Sequence, residues 1–236
     1  MVVTGGAARL GREIALAFGR LGADVAITYL GSERSAAATV SEIEALGVRS
    51  KAVRCDLREA RDVASLAATV TAALGPVDIL VLNAAVFRRT PVDEATEEDW
   101  DFHMDTNGKG AFLCAQRIGT SMRERGSGAI VFVADVAGLL AWGNYIPYSA
   151  SKAAVLSMMQ GFAVALAPQV RVNAIAPGPI LPPPGGGAAD LDAAAARTLL
   201  KRAGSAQDIA EAVVYLATAE YVTGVTLPVD GGRHIA

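Results

Sequence analysis

Short β-branched apolar runs alternate with longer amphipathic stretches along the chain. The runs at 1–4, 24–29, 49–54, 77–82, 128–134, 170–174 and 225–229 read as strands of a parallel sheet covered on both faces. Helical stretches at 34–46, 60–73, 98–124, 148–166 and 207–217 lie between them. A first helix precedes these, with Leu10, Ile14, Phe18 and Leu21 spaced near a 3.6-residue repeat that sets one stripe against the sheet. It ends at Gly19–Gly22, where Gly22 suits a left-handed cap. This alternation predicts one Rossmann-type domain over residues 1–236, a doubly wound α/β fold with about seven parallel strands and helices on both faces.

One segment departs from the rhythm. Residues 177–187 hold five prolines and four glycines, and an alanine-rich stretch follows to Arg197. Proline lacks the N–H that a helix or inner strand needs, so the segment reads as an excursion from the core. We expect a lid over a site at about 178–200. The first strand is short, since only Met1–Val3 precede the glycine turn.

Composition narrows the class. Of 236 residues 52% are hydrophobic and 19% charged, enough apolar surface to offset chain entropy. A net charge of −3 gives no attraction for nucleic acid or anionic lipid, so neither is expected as a partner. No uninterrupted apolar run reaches membrane-spanning length, and no secretory signal opens the chain, so a cytoplasmic location is expected. Cys55 and Cys114 suit buried thiols, and no Cys/His spacing suggests a metal.

Thr4-Gly5-Gly6-Ala7-Ala8-Arg9-Leu10-Gly11 joins the first strand to the first helix. Alone, such a turn is equally an ordinary strand–helix loop. Its position gives it meaning: glycines let the backbone approach a pyrophosphate, whose charge the helix N-terminus stabilises. Strand two ends at Tyr29, where an acidic side chain would bind a ribose 2′-hydroxyl, and Ser32, Arg34 and Arg9 lie near in sequence. Hydroxyls and guanidinium suit a 2′-phosphate instead, so the expected cofactor is NADPH, unless Tyr29 and Ser32 merely form a solvated turn.

Tyr148 and Lys152 stand four residues apart on a predicted helix and so share a face. An ammonium beside a phenol favours phenolate, which predicts a lowered tyrosine pKa suited to proton transfer.

Taken together, these motifs resemble the short-chain dehydrogenase/reductase family over essentially the whole chain. The glycine turn, Asp56-Leu57, Asn83-Ala84-Ala85, Asn107, Tyr148/Lys152, Pro177-Gly178 and Asp230-Gly231-Gly232 follow the family's order and spacing. The resemblance implies a strand order 3-2-1-4-5-6-7, Tyr148 as acid, Lys152 on the nicotinamide ribose and Asn107 supporting a proton-relay water. It implies Asp56 at the adenine, with Gly5, Leu10, Gly11, Leu57, Asn83, Ala84, Ala85, Pro177, Gly178 and Ile180 along the cofactor. It also implies a homodimer or homotetramer built on the long helices.

Two departures narrow the match. Arg9 replaces a glycine of the turn, and Asp135 stands thirteen residues before Tyr148, where the family has serine. Both are similar to pteridine reductases, as is Phe87, which in those enzymes would stack on the pterin. Arg9 would then bridge cofactor phosphate and the ring's polar edge. An ionised Asp135 cannot donate to a ketone oxygen and would oppose Lys152 by raising the phenol pKa. Asp135 as a helix cap and Phe87 as a loop anchor are the plainer alternatives. Ala85 departs from the serine those enzymes commonly carry.

The expected activity is therefore NADPH-dependent reduction of a pterin-like flat heterocycle. Reduction of 3-oxoacyl thioesters, quinones or polyketides is the second reading, and a non-catalytic NADPH sensor a third. Arg88 and Arg89 face an acidic substrate tail or solvent. His103 and His234 are expected in surface or packing roles, and Trp142 at the substrate mouth or in a core gap.

Overall fold

The computed structural model describes residues 1–183 and 185–236. Seven strands, β1 (Val2–Val3), β2 (Val25–Tyr29), β3 (Ser50–Arg54), β4 (Ile79–Leu82), β5 (Gly128–Val133), β6 (Val170–Pro177) and β7 (Thr226–Val229), form one sheet. All neighbours are parallel, in the order β3-β2-β1-β4-β5-β6-β7.

Successive side chains of a strand point to opposite faces, and the sequence uses both. Val2, Leu80, Ile130 and Val172 enter one core with Leu66, Cys114, Met122 and Met159. Val3, Val81, Val131 and Ile175 enter the other with Ile14, Phe18, Ile43 and Ile209. The covering helices are α1 (Arg9–Arg20), α2 (Glu33–Glu44), α3 (Ala60–Leu74), α4 (Glu97–His103), α5 (Gly110–Arg125), α6 (Ile146–Leu166), α7 (Ala188–Ala195) and α8 (Ala206–Thr218). Strand order reverses between β1 and β4, which opens a crevice at the carboxyl ends of the strands.

Several predicted elements are corrected. The stripe on α1 is carried by buried Ile14, Ala15, Leu16 and Phe18, whereas Leu21 lies past the helix end and is 65% exposed. Gly22 does take a left-handed φ of 84°, and Ala23 N–H closes the cap on the Phe18 carbonyl at 3.1 Å. Strand β1 is two residues long because the chain turns at Thr4 into the glycine loop, and β6 runs three residues past its predicted end into Pro177. Proline is tolerated there, at the last position of the strand.

The helix expected over 98–124 runs without interruption from Glu97 to Arg125, with one change of pitch inside it. A π-helical turn at Met104–Lys109 separates α4 from α5 and carries Asn107, an irregularity often found at functional sites. The segment expected as a lid contains α7, after its Pro/Gly run, and Ala195 and the following Thr198 are buried. Gly204 N–H bonds the Pro179 carbonyl at 3.0 Å, so the excursion leaves and rejoins the body at one place. Pro184, within the expected lid, lies outside the described residues.

Candidate active site

The glycine turn is braced from the ends of two strands, β2 and β4. Gly5 N–H donates to Thr28 Oγ1 at 3.0 Å and Gly6 N–H to the Thr28 carbonyl at 3.1 Å. Asn83 Nδ2 donates to the Thr4 carbonyl at 3.0 Å, while Thr4 Oγ1 accepts from the N–H groups of Asn83 and Ala84. A Cβ on Gly11 would meet the Gly5 carbonyl oxygen at 2.3 Å and Asn83 Nδ2 at 2.5 Å, so no larger residue fits. Ala8 contributes no side-chain cap to α1, and the first helical turn contains no acid. The leading N–H groups thus face the crevice without a competing carboxylate, a cradle that fits a pyrophosphate. Thr28 was not singled out in the sequence, although it lies on the strand whose end binds the ribose in such folds.

Arg9 and Asp56 are placed differently from expectation. Arg9, at a left-handed φ of 52°, donates from Nη2 to the Pro182 carbonyl at 2.5 Å, tying the turn to the 178–204 segment. Its Nη2 is thus taken up by the segment on the far side of the turn. The Asp56 carboxylate takes the Arg58 fork at 2.6 and 2.9 Å, which holds its pKa below the usual carboxylate range. Asp56 still stands at the end of β3, beside Leu57, but meets an adenine edge only in competition with Arg58. Tyr29 ends β2 in register with exposed Arg54, a cation the sequence reading passed over. Ser32 and Arg34 are exposed at the start of α2.

On the other side of the crevice, Tyr148 and Lys152 project from α6 and are 5% and 4% exposed. Tyr148 Oη donates to Asp135 Oδ2 at 2.8 Å, and Asp135 Oδ1 accepts from Ala137 N–H at 2.8 Å. Asp135 is thus both a helix cap and the partner of the phenol. Lys152 Nζ donates to the Val133 carbonyl at 3.0 Å and lies 5.8 Å from the Tyr148 ring centre. The two side chains share a helix face without bonding each other.

This arrangement overturns the expected fall in the tyrosine pKa. Burial and the adjoining Asp135 carboxylate push the phenol well above its ordinary value. Burial likewise raises Asp135 against the pull of Ala137 N–H and Lys152, and it lowers Lys152 to about 8. Burial thus makes charge costly on every member of the trio.

Asn107, 2% exposed, clamps Val86: its Oδ1 accepts the Val86 N–H at 2.7 Å and its Nδ2 donates to the Val86 carbonyl at 3.0 Å. Its Nδ2 also reaches Ser151 Oγ at 3.0 Å, and that hydroxyl donates to the Tyr148 carbonyl at 2.7 Å. Ser151 lies within the Tyr148–Lys152 interval, where its spacing gave no separate signal.

Phe87 touches Tyr148 edge-to-face at 4.7 Å and stacks on Tyr145 at 4.9 Å. One of its faces, expected to be open to a ligand ring, is thus covered by Tyr145, which the sequence reading did not identify. Trp142 meets Tyr145 at 5.9 Å, so it belongs to this aromatic wall and not to the core. Arg88 is drawn away by Asp99 at 2.9 Å, while Arg89 stays exposed.

Gly178 and the Asp230-Gly231-Gly232 motif pack together, since a Cβ on Gly178 would lie 2.6 Å from Asp230 Cα. Asp230 bonds His234 Nδ1 at 2.7 Å, giving that histidine a role in the closing turn. Pro177 ends β6, and buried Ile180 follows beneath the 178–204 segment.

The family model described as enoyl-(acyl carrier protein) reductase matches residues 5–234. The chain is 36% identical to the 3-oxoacyl-[acyl-carrier-protein] reductase FabG of Staphylococcus epidermidis, over 99% of this chain and 98% of that protein. Among solved structures it is similar to a blue fluorescent protein from a metagenomic library in complex with NADPH, with a TM-score of 0.91, 34% identity and coverage of 98% and 96%. It is also similar to FolM alternative dihydrofolate reductase 1 from Brucella suis in complex with NADP, with a TM-score of 0.93, 31% identity and coverage of 100% and 94%.

Proposed function

The chain belongs to the short-chain dehydrogenase/reductase family, and we propose that within it the protein is an NADPH-dependent reductase of a pterin-like flat heterocycle. The observation that carries this reading is the 2.8 Å bond from Tyr148 Oη to Asp135 Oδ2. A hydroxyl at position 135 would both donate and accept. A carboxylate only accepts, and here it occupies the phenol's single proton. A ketone oxygen meets a poor donor set in such a pair. A pterin edge carries N–H groups that a carboxylate can accept, as well as a ring nitrogen that takes a proton.

When bound, the dinucleotide supplies the hydride. The chain's residues do the rest. The Gly5–Gly11 turn seats the pyrophosphate on the α1 N-terminus, and Asn83 and Thr4 hold that turn rigid. Tyr29, Ser32, Arg34 and Arg54 offer hydroxyls and guanidinium for a 2′-phosphate at the ends of β2 and β3, with the Glu33 carboxylate beside them in the first turn of α2. Phe87 and the aromatic wall beside it present π faces to a flat ring next to Tyr148. Tyr148 delivers the proton to the ring nitrogen, and the Asp135 carboxylate, held by Ala137 N–H, orients the phenol as its hydrogen-bond acceptor. Lys152 supplies positive charge close to both and would hold the nicotinamide ribose, and Asn107 bonds Val86 and Ser151 behind them. The 178–204 segment closes over the ring, and the likeness to FolM supports this choice of substrate class.

Reduction of a 3-oxoacyl thioester is the second reading, favoured by the 36% identity to FabG. NADPH oxidation with dihydropteridines and with an acetoacetyl thioester separates the two, run on wild type, Tyr148→Phe and Asp135→Ser. Dihydropteridine turnover that Tyr148→Phe reduces is the expected result. Turnover of the thioester alone would replace the first reading with the second. NADPH binding without turnover of any substrate would leave the sensor.

A further inference from the structure

We infer that His103 is a positioning residue of this site, holding in place the loop that presents Phe87; the inference rests on the reduction proposed at Tyr148. His103 closes α4 and is 0% exposed, directly before the π-helical turn that carries Asn107. Its two ring nitrogens have different partners. Nδ1 donates to the Asp99 carbonyl at 2.7 Å, and Nε2 accepts the Arg88 N–H at 3.2 Å. A carbonyl can only accept and an amide can only donate, so both roles of the ring are set by its surroundings.

The consequence lies in the loop. Val86 is held through both its backbone groups by Asn107, and Arg88 is held through its N–H by His103. The Arg88 side chain is drawn to the same helix, with its guanidinium on Asp99 and 4.2 Å from the Phe102 ring centre. Phe87 is therefore fixed between two clamped neighbours, with its ring against Tyr148. The His103 ring also meets the Tyr148 ring edge-on at 6.0 Å, so one side chain contacts the proton donor and anchors the aromatic loop. A leucine or phenylalanine would fill the same space without polar cost, but neither could accept from Arg88.

The test compares wild type with His103→Phe and His103→Gln, because a glutamine oxygen can still accept from Arg88 N–H. With 7,8-dihydrobiopterin as the probe, His103→Phe should raise KM about tenfold while the NADPH Kd moves less than about twofold, and His103→Gln should recover most of the loss. Amide exchange of the 86–90 loop should quicken in His103→Phe and stay slow in His103→Gln. Unchanged exchange in His103→Phe, a parallel rise of KM and NADPH Kd, or a glutamine variant no better than phenylalanine would each overturn the inference. A wild type inert toward the pterin removes the substrate reading instead. The exchange measurement, and KM for the acetoacetyl thioester, then decide the role of His103.

Discussion

Tyr148 Oη donates a hydrogen bond to Asp135 Oδ2 at 2.8 Å, thirteen residues back along the chain and across the end of β5. Burial, with the Asp135 carboxylate beside it, raises the phenol pKa, the reverse of what a neighbouring ammonium would do alone. A proton donor of this kind gives up its proton only to a strongly basic acceptor, such as the ring nitrogen once hydride addition has placed negative charge on it. Removing the donor with Tyr148→Phe should cut kcat for a dihydropterin by about 10²–10⁴-fold and leave NADPH affinity unchanged. Asp135→Ser should shift kcat/KM from the dihydropterin toward the thioester, read as the ratio of the two in one NADPH assay.

Lys152 bears on stability. Its folded pKa of about 8 lies below its ordinary 10.5, so between these values the unfolded chain binds more protons than the folded one. Stability gained through Lys152 is present above 10.5 and is lost as pH falls toward 8. Denaturant titrations should show wild type losing up to ~3 kcal/mol relative to Lys152→Met across that window as pH is lowered. A difference independent of pH would show that the ammonium is not buried.

Gly11 tests the cradle. Its Cβ would strike backbone of the same turn, which cannot move without breaking the bonds to Thr28 and Asn83. Gly11→Ala should cost about 1–3 kcal/mol in thermal or denaturant unfolding. It should also abolish NADPH binding, measured by the quenching of cofactor fluorescence.

Tyr29 tests the cofactor choice. Its register with Arg54 places any charge introduced there against the expected 2′-phosphate. Tyr29→Asp should lower the NADPH/NADH ratio of kcat/KM by roughly ten- to hundredfold, the equivalent of about 1–3 kcal/mol. An unchanged ratio would move phosphate recognition away from the end of β2.

Much of the fold was written in local pattern. Strand runs such as Ile130–Phe132 and the repeat of Ile14 and Phe18 identify buried faces, because period and hydrophobicity act over a few residues. The motifs were equally local, since a tight turn needs glycine at Gly5 and Gly11 whatever surrounds it. The failures came where one segment answers to another. The π-helical turn sets Asn107 against Val86, and α7 forms in a segment whose composition left its own fold open.

By itself the sequence determined the two-sided parallel sheet, the cradle for a dinucleotide and the Tyr148, Lys152 and Asp135 side chains available to a reductase. Only the tertiary structure decided how those side chains act on one another. It turned Lys152 to the Val133 carbonyl, hydrogen-bonded the phenol to Asp135, covered one face of Phe87 with Tyr145 and set His103 against Arg88. The division has a physical cause. Periodicity and turn chemistry are properties of neighbours along the chain, whereas desolvation and hydrogen-bond partners depend on residues that only folding brings together.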